Sequence, residues 1–147
     1  MEYKLASSTW DNKEIEAIHR VIESDMYSMN KEVRQYEIDF AKYVGSNHAI
    51  MTSSGSTANL LMIAALFFTK DKNRCLKPGD EVIVPAVSWS TTYFPLQQYG
   101  LKVKFVDIDR QTLNIDIQKL RNAITDRTKL ILAVNLLGNS NDFHEIN

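Results

Sequence analysis

The sequence is poor in the features that mark whole classes of protein. Cys75 is its only cysteine, so an internal disulfide is excluded and the chain suits a reducing compartment. Neither sign of charge prevails, and the formal net charge of −1 gives no long-range pull toward nucleic acid or an anionic membrane. No nucleic-acid or membrane partner is therefore expected. The longest apolar run, Leu60 to Phe68, is too short to span a bilayer, and Met1 to Trp10 lacks the basic flank and apolar core of a secretion signal. These absences lead to the expectation of a cytoplasmic protein. His19, His48 and His144 form no ligand spacing with Cys75 or a carboxylate, so no metal site is expected. Glycine and proline are sparse, at five and three, and no linker, repeat or low-complexity tract interrupts the chain. What is present is 147 residues, 44% apolar and 24% charged, enough for one domain with a core.

Asp11-Asn12-Lys13-Glu14 reads as a capping box, and Ile15, Ile18, Ile22 and Met26 recur at helical spacing, which predicts a helix over about 12–25. A second helix carries Val33, Tyr36, Phe40 and Tyr43 on one face and stops at Gly45. His48 to Met51 reads as a short strand. The segment from Thr57 to about Thr69 is apolar nearly all round, which predicts a central helix inside the protein; Met62, Phe67 and Phe68 are core by spacing. Lys77-Pro78-Gly79-Asp80 is a turn before a strand, Val82-Ile83-Val84, that breaks at Pro85. Further strands are expected at Val103 to Val106 and Leu130 to Val134, with a helix from Asp116 to Ile124 between them. Continuous apolar strands alternating with helices indicate an α/β fold with a mostly parallel sheet, whose ligand site lies off the carboxyl ends of the strands. Asn141 to Ile146 has the polar cap and apolar spacing of a starting helix, and we expect residues 1–147 to be the front part of a longer protein or a truncated copy of one.

Between the short apolar run ending at Met51 and the apolar block at Leu60 lies Ser53-Ser54-Gly55-Ser56-Thr57-Ala58-Asn59. Gly55 permits a tight turn, Ser56 and Thr57 offer hydroxyls with backbone N–H groups, and the following helix directs its positive end outward, a combination suited to a phosphate. The same residues also make a plain helix cap. Pro85 to Thr92 leaves the carboxyl end of a strand and brings Trp89 toward the same region, where its indole could stack on a planar ligand or simply fill space. Asp107 and Asp109 end a strand and serve either a cleft or a turn.

Taken together, Ser54-Gly55-Ser56-Thr57-Ala58, Pro78-Gly79-Asp80-Glu81-Val82-Ile83-Val84-Pro85, Phe105-Val106-Asp107-Ile108-Asp109, Asn114-Ile115-Asp116 and Thr128-Lys129 resemble the DegT/DnrJ/EryC1/StrS sugar aminotransferase family of pyridoxal-phosphate enzymes. The resemblance covers nearly the whole chain. Within the family, Gly55 to Leu61 and Ala86 to Thr92 look most like the branch of GDP-4-keto-6-deoxymannose 3-dehydratases, which make deoxysugars for lipopolysaccharide O-antigen.

The resemblance implies an incomplete large domain of the fold-type-I transferases. It implies a pyridoxal 5′-phosphate (PLP) or pyridoxamine 5′-phosphate cofactor, held at its phosphate by Gly55, Ser56 and Thr57 and stacked on Trp89. It also implies a nucleotide-linked 4-keto-6-deoxy sugar as substrate, and a homodimer for the full-length relative. An early loop, here Tyr27 to Asn30, is placed near the substrate; Asn30 stands where many members have Gly. The family's pyridinium-binding Asp and its catalytic Lys or His are expected beyond Asn147, so no catalytic residue is assigned here, Lys70 and Lys129 match no such motif, and the chain alone is expected to be inactive. That missing base separates the 3-dehydratase from the alternative, a nucleotide-sugar aminotransferase. Two readings of another class are a nucleotide-binding module, which the lack of G-x-G-x-x-G after the first strand disfavours, and a non-catalytic remnant with open sheet edges.

Overall fold

The computed structural model describes residues 7–147; the stretch read for a secretion signal lies, over residues 1–6, outside them. The chain divides into two compact units, Met1–Met51 and Thr52–Asn147.

The first unit is helical. Helix α1, Asn12–Glu23, starts with the expected capping box: the Asp11 carboxylate accepts from the Lys13 N–H at 2.7 Å, and the Glu14 carboxylate accepts from the Asp11 N–H at 2.7 Å. Helix α2, Lys31–Val44, ends at Gly45, whose φ of +71° is the left-handed conformation that closes a helix without a Cβ clash. Tyr36 stacks on Phe40 at 5.6 Å. His48 to Met51, read as a strand, is not one. Among the described residues no ladder reaches it, and its groups bond to side chains instead: the Met51 N–H donates to the Glu37 carboxylate at 2.8 Å and the Ser46 hydroxyl to the His48 carbonyl at 2.8 Å.

The second unit is a parallel sheet with helices. After α3, Gly55–Phe68, come β1 (Glu81–Pro85), α4 (Ser90–Gln98), β2 (Lys102–Val106), α5 (Ile117–Ala123), β3 (Thr128–Ile131), a single 3-10 turn (Leu136–Gly138) and α6 (Phe143–Ile146). The strand order is β2-β1-β3, and Val82 pairs with Val103 on one side and Leu130 on the other. Strand alternation sends Val82 and Val84 into one cluster with Ile63, Leu76, Leu96 and Leu101, and Ile83 into another with Val106, Ile115 and Leu120. Burial on both faces is why this strand reads as an unbroken apolar run. Each of its three fully buried side chains contributes about 1.5–3 kcal/mol of hydrophobic free energy.

The third strand begins two residues earlier than expected and stops at Ile131. Helix α3 departs further from expectation. Only Ile63 on it is buried; Leu66 and Phe67 pack against the first cluster, while Met62 and Phe68, read as core, are 44% and 79% exposed. One side of α3 lies on the core and the other is uncovered. Helix α4 takes in the end of the Pro85 to Thr92 stretch, which from Ser90 forms its first turn. Its β-branched and aromatic first turn and its internal Pro95 are poor helix formers, yet Thr92, Pro95 and Leu96 are buried along it, so packing overrides propensity. Among the described residues no helix is long and apolar enough to cross a membrane.

Candidate functional site

The amino end of α3 is built by its own hydroxyls. Ser54 is the N-cap, with extended backbone; its Oγ accepts from the Thr57 N–H at 3.2 Å, its own N–H donates to Thr57 Oγ1 at 3.0 Å, and the Thr57 hydroxyl donates to the Ser54 carbonyl at 2.9 Å. Thr57 is thus spent on shaping the turn. Gly55 and Ser56, the first two helical residues, direct N–H groups out of the helix end, and no backbone or side-chain acceptor among the described residues takes them; the Ser56 hydroxyl is equally unpaired. Gly55 does not adopt the left-handed conformation of a tight turn, contrary to the reading of it as a turn-former. A Cβ there would meet nothing within 4 Å, so the approach to the helix end is open and no contact within the described residues requires glycine. Two free N–H groups, a free hydroxyl, an open approach and the positive end of a 14-residue helix are what a phosphate monoester requires. The residues present therefore fit the phosphate of PLP.

The second element is the turn from β1 into α4. The Ala86 N–H donates to the Val106 carbonyl at 2.7 Å, the Tyr93 hydroxyl to the Pro85 carbonyl at 2.8 Å, and the Ser88 and Thr92 hydroxyls lie 2.8 Å apart. Burial raises the pKa of Tyr93, which keeps the phenol protonated as the donor to Pro85. Trp89 occupies the N-cap position of α4, its carbonyl accepting from the Thr92 N–H at 2.9 Å. The residue is 75% exposed, so within the described residues it does not fill core space and its indole is open to a planar ligand. The two elements are joined directly, because Asn59 Nδ2 donates to the Thr91 carbonyl at 3.2 Å. Asn59 stood in the phosphate motif without an assigned role.

The aspartates after β2 serve the fold. Asp109 accepts from the N–H groups of Gln111 and Thr112 in a turn. Asp107 pairs with Lys119 at 3.0 Å, and that hydrogen bond, more than any other contact, holds its carboxyl below the usual range and raises Lys119. Sequence reasoning missed the amide network beyond β3. Buried Asn114 donates to the Ser140 carbonyl at 2.8 Å, and buried Asn141 to the Val134 carbonyl at 2.8 Å and to Asn135 Oδ1 at 2.8 Å. The signal was the density of asparagine around Gly138. Among the described residues no three His, Cys, Asp or Glu side chains stand together as a metal site would require.

The model of the DegT/DnrJ/EryC1/StrS aminotransferase family matches residues 8–147. The chain belongs to this family. Among its relatives, a GDP-4-keto-6-deoxy-D-mannose 3-dehydratase of Yersinia pseudotuberculosis is 68% identical over 99% of this chain and 37% of its own length. The enzyme of the same name from Escherichia coli O55:H7 is 67% identical over 100% of this chain and 37% of its own. A solved E. coli 3-dehydratase with bound hydrated PLP superposes with a TM-score of 0.94 at 68% identity, again over 99% of this chain and 37% of that one. The chain thus spans little more than a third of the length of these DegT/DnrJ/EryC1/StrS relatives and matches their N-terminal part. The family is PLP-dependent, and its solved members carry PLP or pyridoxamine phosphate. The fold is that of the fold-type-I enzymes, as the resemblance implied.

Proposed function

We propose that this chain is the part of a PLP-dependent nucleotide-sugar 3-dehydratase that holds the cofactor phosphate and one face of its ring, with a GDP-linked 4-keto-6-deoxy sugar as substrate. The observation that carries the reading is 68% identity to a 3-dehydratase over 99% of the chain, set against 37% to a sugar aminotransferase over 88% of it. Deoxysugar synthesis for lipopolysaccharide is the process in which such an enzyme acts, and a lipopolysaccharide biosynthesis protein of Salmonella typhimurium is 41% identical over 76% of the chain.

Bound PLP supplies an electron sink, through which a C–O bond next to the reacting carbon is labilised. The residues here serve binding and orientation. The N–H groups of Gly55 and Ser56, with the Ser56 hydroxyl, bind the phosphate at the positive end of α3. Thr57 keeps those groups aimed by holding the Ser54 turn. Trp89 covers one face of the ring and excludes water from it. Tyr93, donating to Pro85, fixes the end of β1 from which the Trp89 turn departs.

A PLP titration followed by visible absorption tests this assignment. The intact chain is expected to give a saturable change; Ser56→Ala and Trp89→Ala each weaken it by about tenfold, the scale of one hydrogen bond to a charged group or one aromatic stack. NAD is expected to give no saturable binding. A PLP response indifferent to both substitutions overturns the assignment, and NAD binding in its place supports the nucleotide-binding reading.

A further inference from the structure

Helix α4 contains a flaw that has been put to use. Pro95 lies inside it and has no N–H, so the helical hydrogen bond to the carbonyl four residues earlier, that of Thr91, cannot form. A part-buried carbonyl left unpaired is costly. The acceptor is instead taken by Asn59 Nδ2 at 3.2 Å, from the second turn of α3. A bond that would have been internal to α4 becomes a bond between two helices. It joins them two residues after Trp89 and three residues after Ser56.

From this geometry we infer that Asn59 is a positioning residue: through the Thr91 carbonyl freed by Pro95, it sets the turn carrying Trp89 against the phosphate-binding end of α3. The inference rests on the proposed cofactor site, but the bond and its consequence for the two helix ends exist without cofactor. Asn59 touches neither phosphate nor ring. It fixes the distance between the groups that do, and PLP, whose phosphate is joined to the ring by one short CH2–O arm, tolerates only a narrow range of that distance. Pro95 and Asn59 form one device, since an ordinary residue at 95 would satisfy the Thr91 carbonyl within α4 and make the bond from Asn59 a second, dispensable one.

The arrangement allows a test that separates tethering from simple satisfaction of a buried carbonyl. In the full chain carrying Trp10→Phe and Cys75→Ser, a bimane probe on Ser56→Cys reports proximity to Trp89 by quenching, without any cofactor. Asn59→Ala is expected to abolish that quenching and to lower the melting temperature by about 4 °C, the scale of one lost hydrogen bond. Adding Pro95→Ala returns a helical donor to Thr91 and is expected to recover the melting temperature while quenching stays lost. Absence of quenching in the parent, quenching that survives Asn59→Ala, or quenching that returns with Pro95→Ala would each overturn the inference. A PLP titration of the protein without probe keeps the two readings apart: quenching as expected with no PLP response refutes the cofactor site and leaves the tether standing.

Discussion

The two units draw their order from different sources. In Met1–Met51 the signals are local: a capping box starts α1, a left-handed glycine ends α2, and Ala41 is the buried residue of the two helices. Ile15, Ile18 and Ile22, spaced to pack, are 49%, 45% and 53% exposed. In Thr52–Asn147 the order is non-local, with a strand buried on both faces and a helix, α4, that its own sequence barely supports. Caps decide where helices begin and stop; burial decides which segments become elements at all. The candidate site residues lie in the second unit, at the amino ends of α3 and α4, and α4 follows a strand whose Val82, Ile83 and Val84 are fully buried.

Truncation in the core breaks the contrast most sharply. Ile83→Ala is expected to cost about 2–5 kcal/mol because the side chain is fully buried between β1 and α5. Ile18→Ala, an equal truncation in the first unit, is expected to stay within about 0.5 kcal/mol. Denaturant unfolding of both variants measures the difference, and equal effects would show that α1 is as tightly packed as β1.

A smaller effect sharpens the same point within the sheet. Glu81 starts β1, and its carboxylate accepts from the Thr128 hydroxyl at 2.7 Å and the Thr125 hydroxyl at 3.0 Å, tying β1 to the start of β3 beside the register shift. The Thr128 hydrogen bond is the leading reason its pKa is lowered. A carboxyl whose folded pKa is depressed stabilises the fold above its unfolded value and loses that contribution as pH falls through the folded value. Melting temperature should therefore fall on acidification through and below the ordinary glutamate range, and Glu81→Gln should flatten that part of the profile. An unchanged profile in the variant would mean the two threonines do no work there.

Much of this was legible in the residues, for reasons that differ by element. Asp11 with Glu14, Gly45, and Asp116 ahead of α5 are short-range signals complete within four residues. Val82-Ile83-Val84 was legible because burial on two faces leaves no polar position. His48 to Met51 misled because apolar residues suit a strand only when a ladder is at hand. Phe68 and Met62 misled because a helix that is apolar all round says nothing about how many sides are covered. For the site, Gly55, Ser56 and Trp89 were visible as residue types in a motif. The saturation of the Thr57 hydroxyl by Ser54, and the bond from Asn59 to Thr91, join groups whose relation only the folded backbone shows.

The central claim is that the end of α3 binds the phosphate group of PLP while Trp89 meets the ring. The most direct measurement is a pair of equilibrium titrations of the intact chain, one with PLP and one with pyridoxal, which has the same ring and no phosphate. The account predicts saturable PLP binding at least about tenfold tighter than pyridoxal, with the difference reduced in Ser56→Ala, which keeps the backbone N–H groups and loses the hydroxyl. Equal affinity for the two compounds would contradict it.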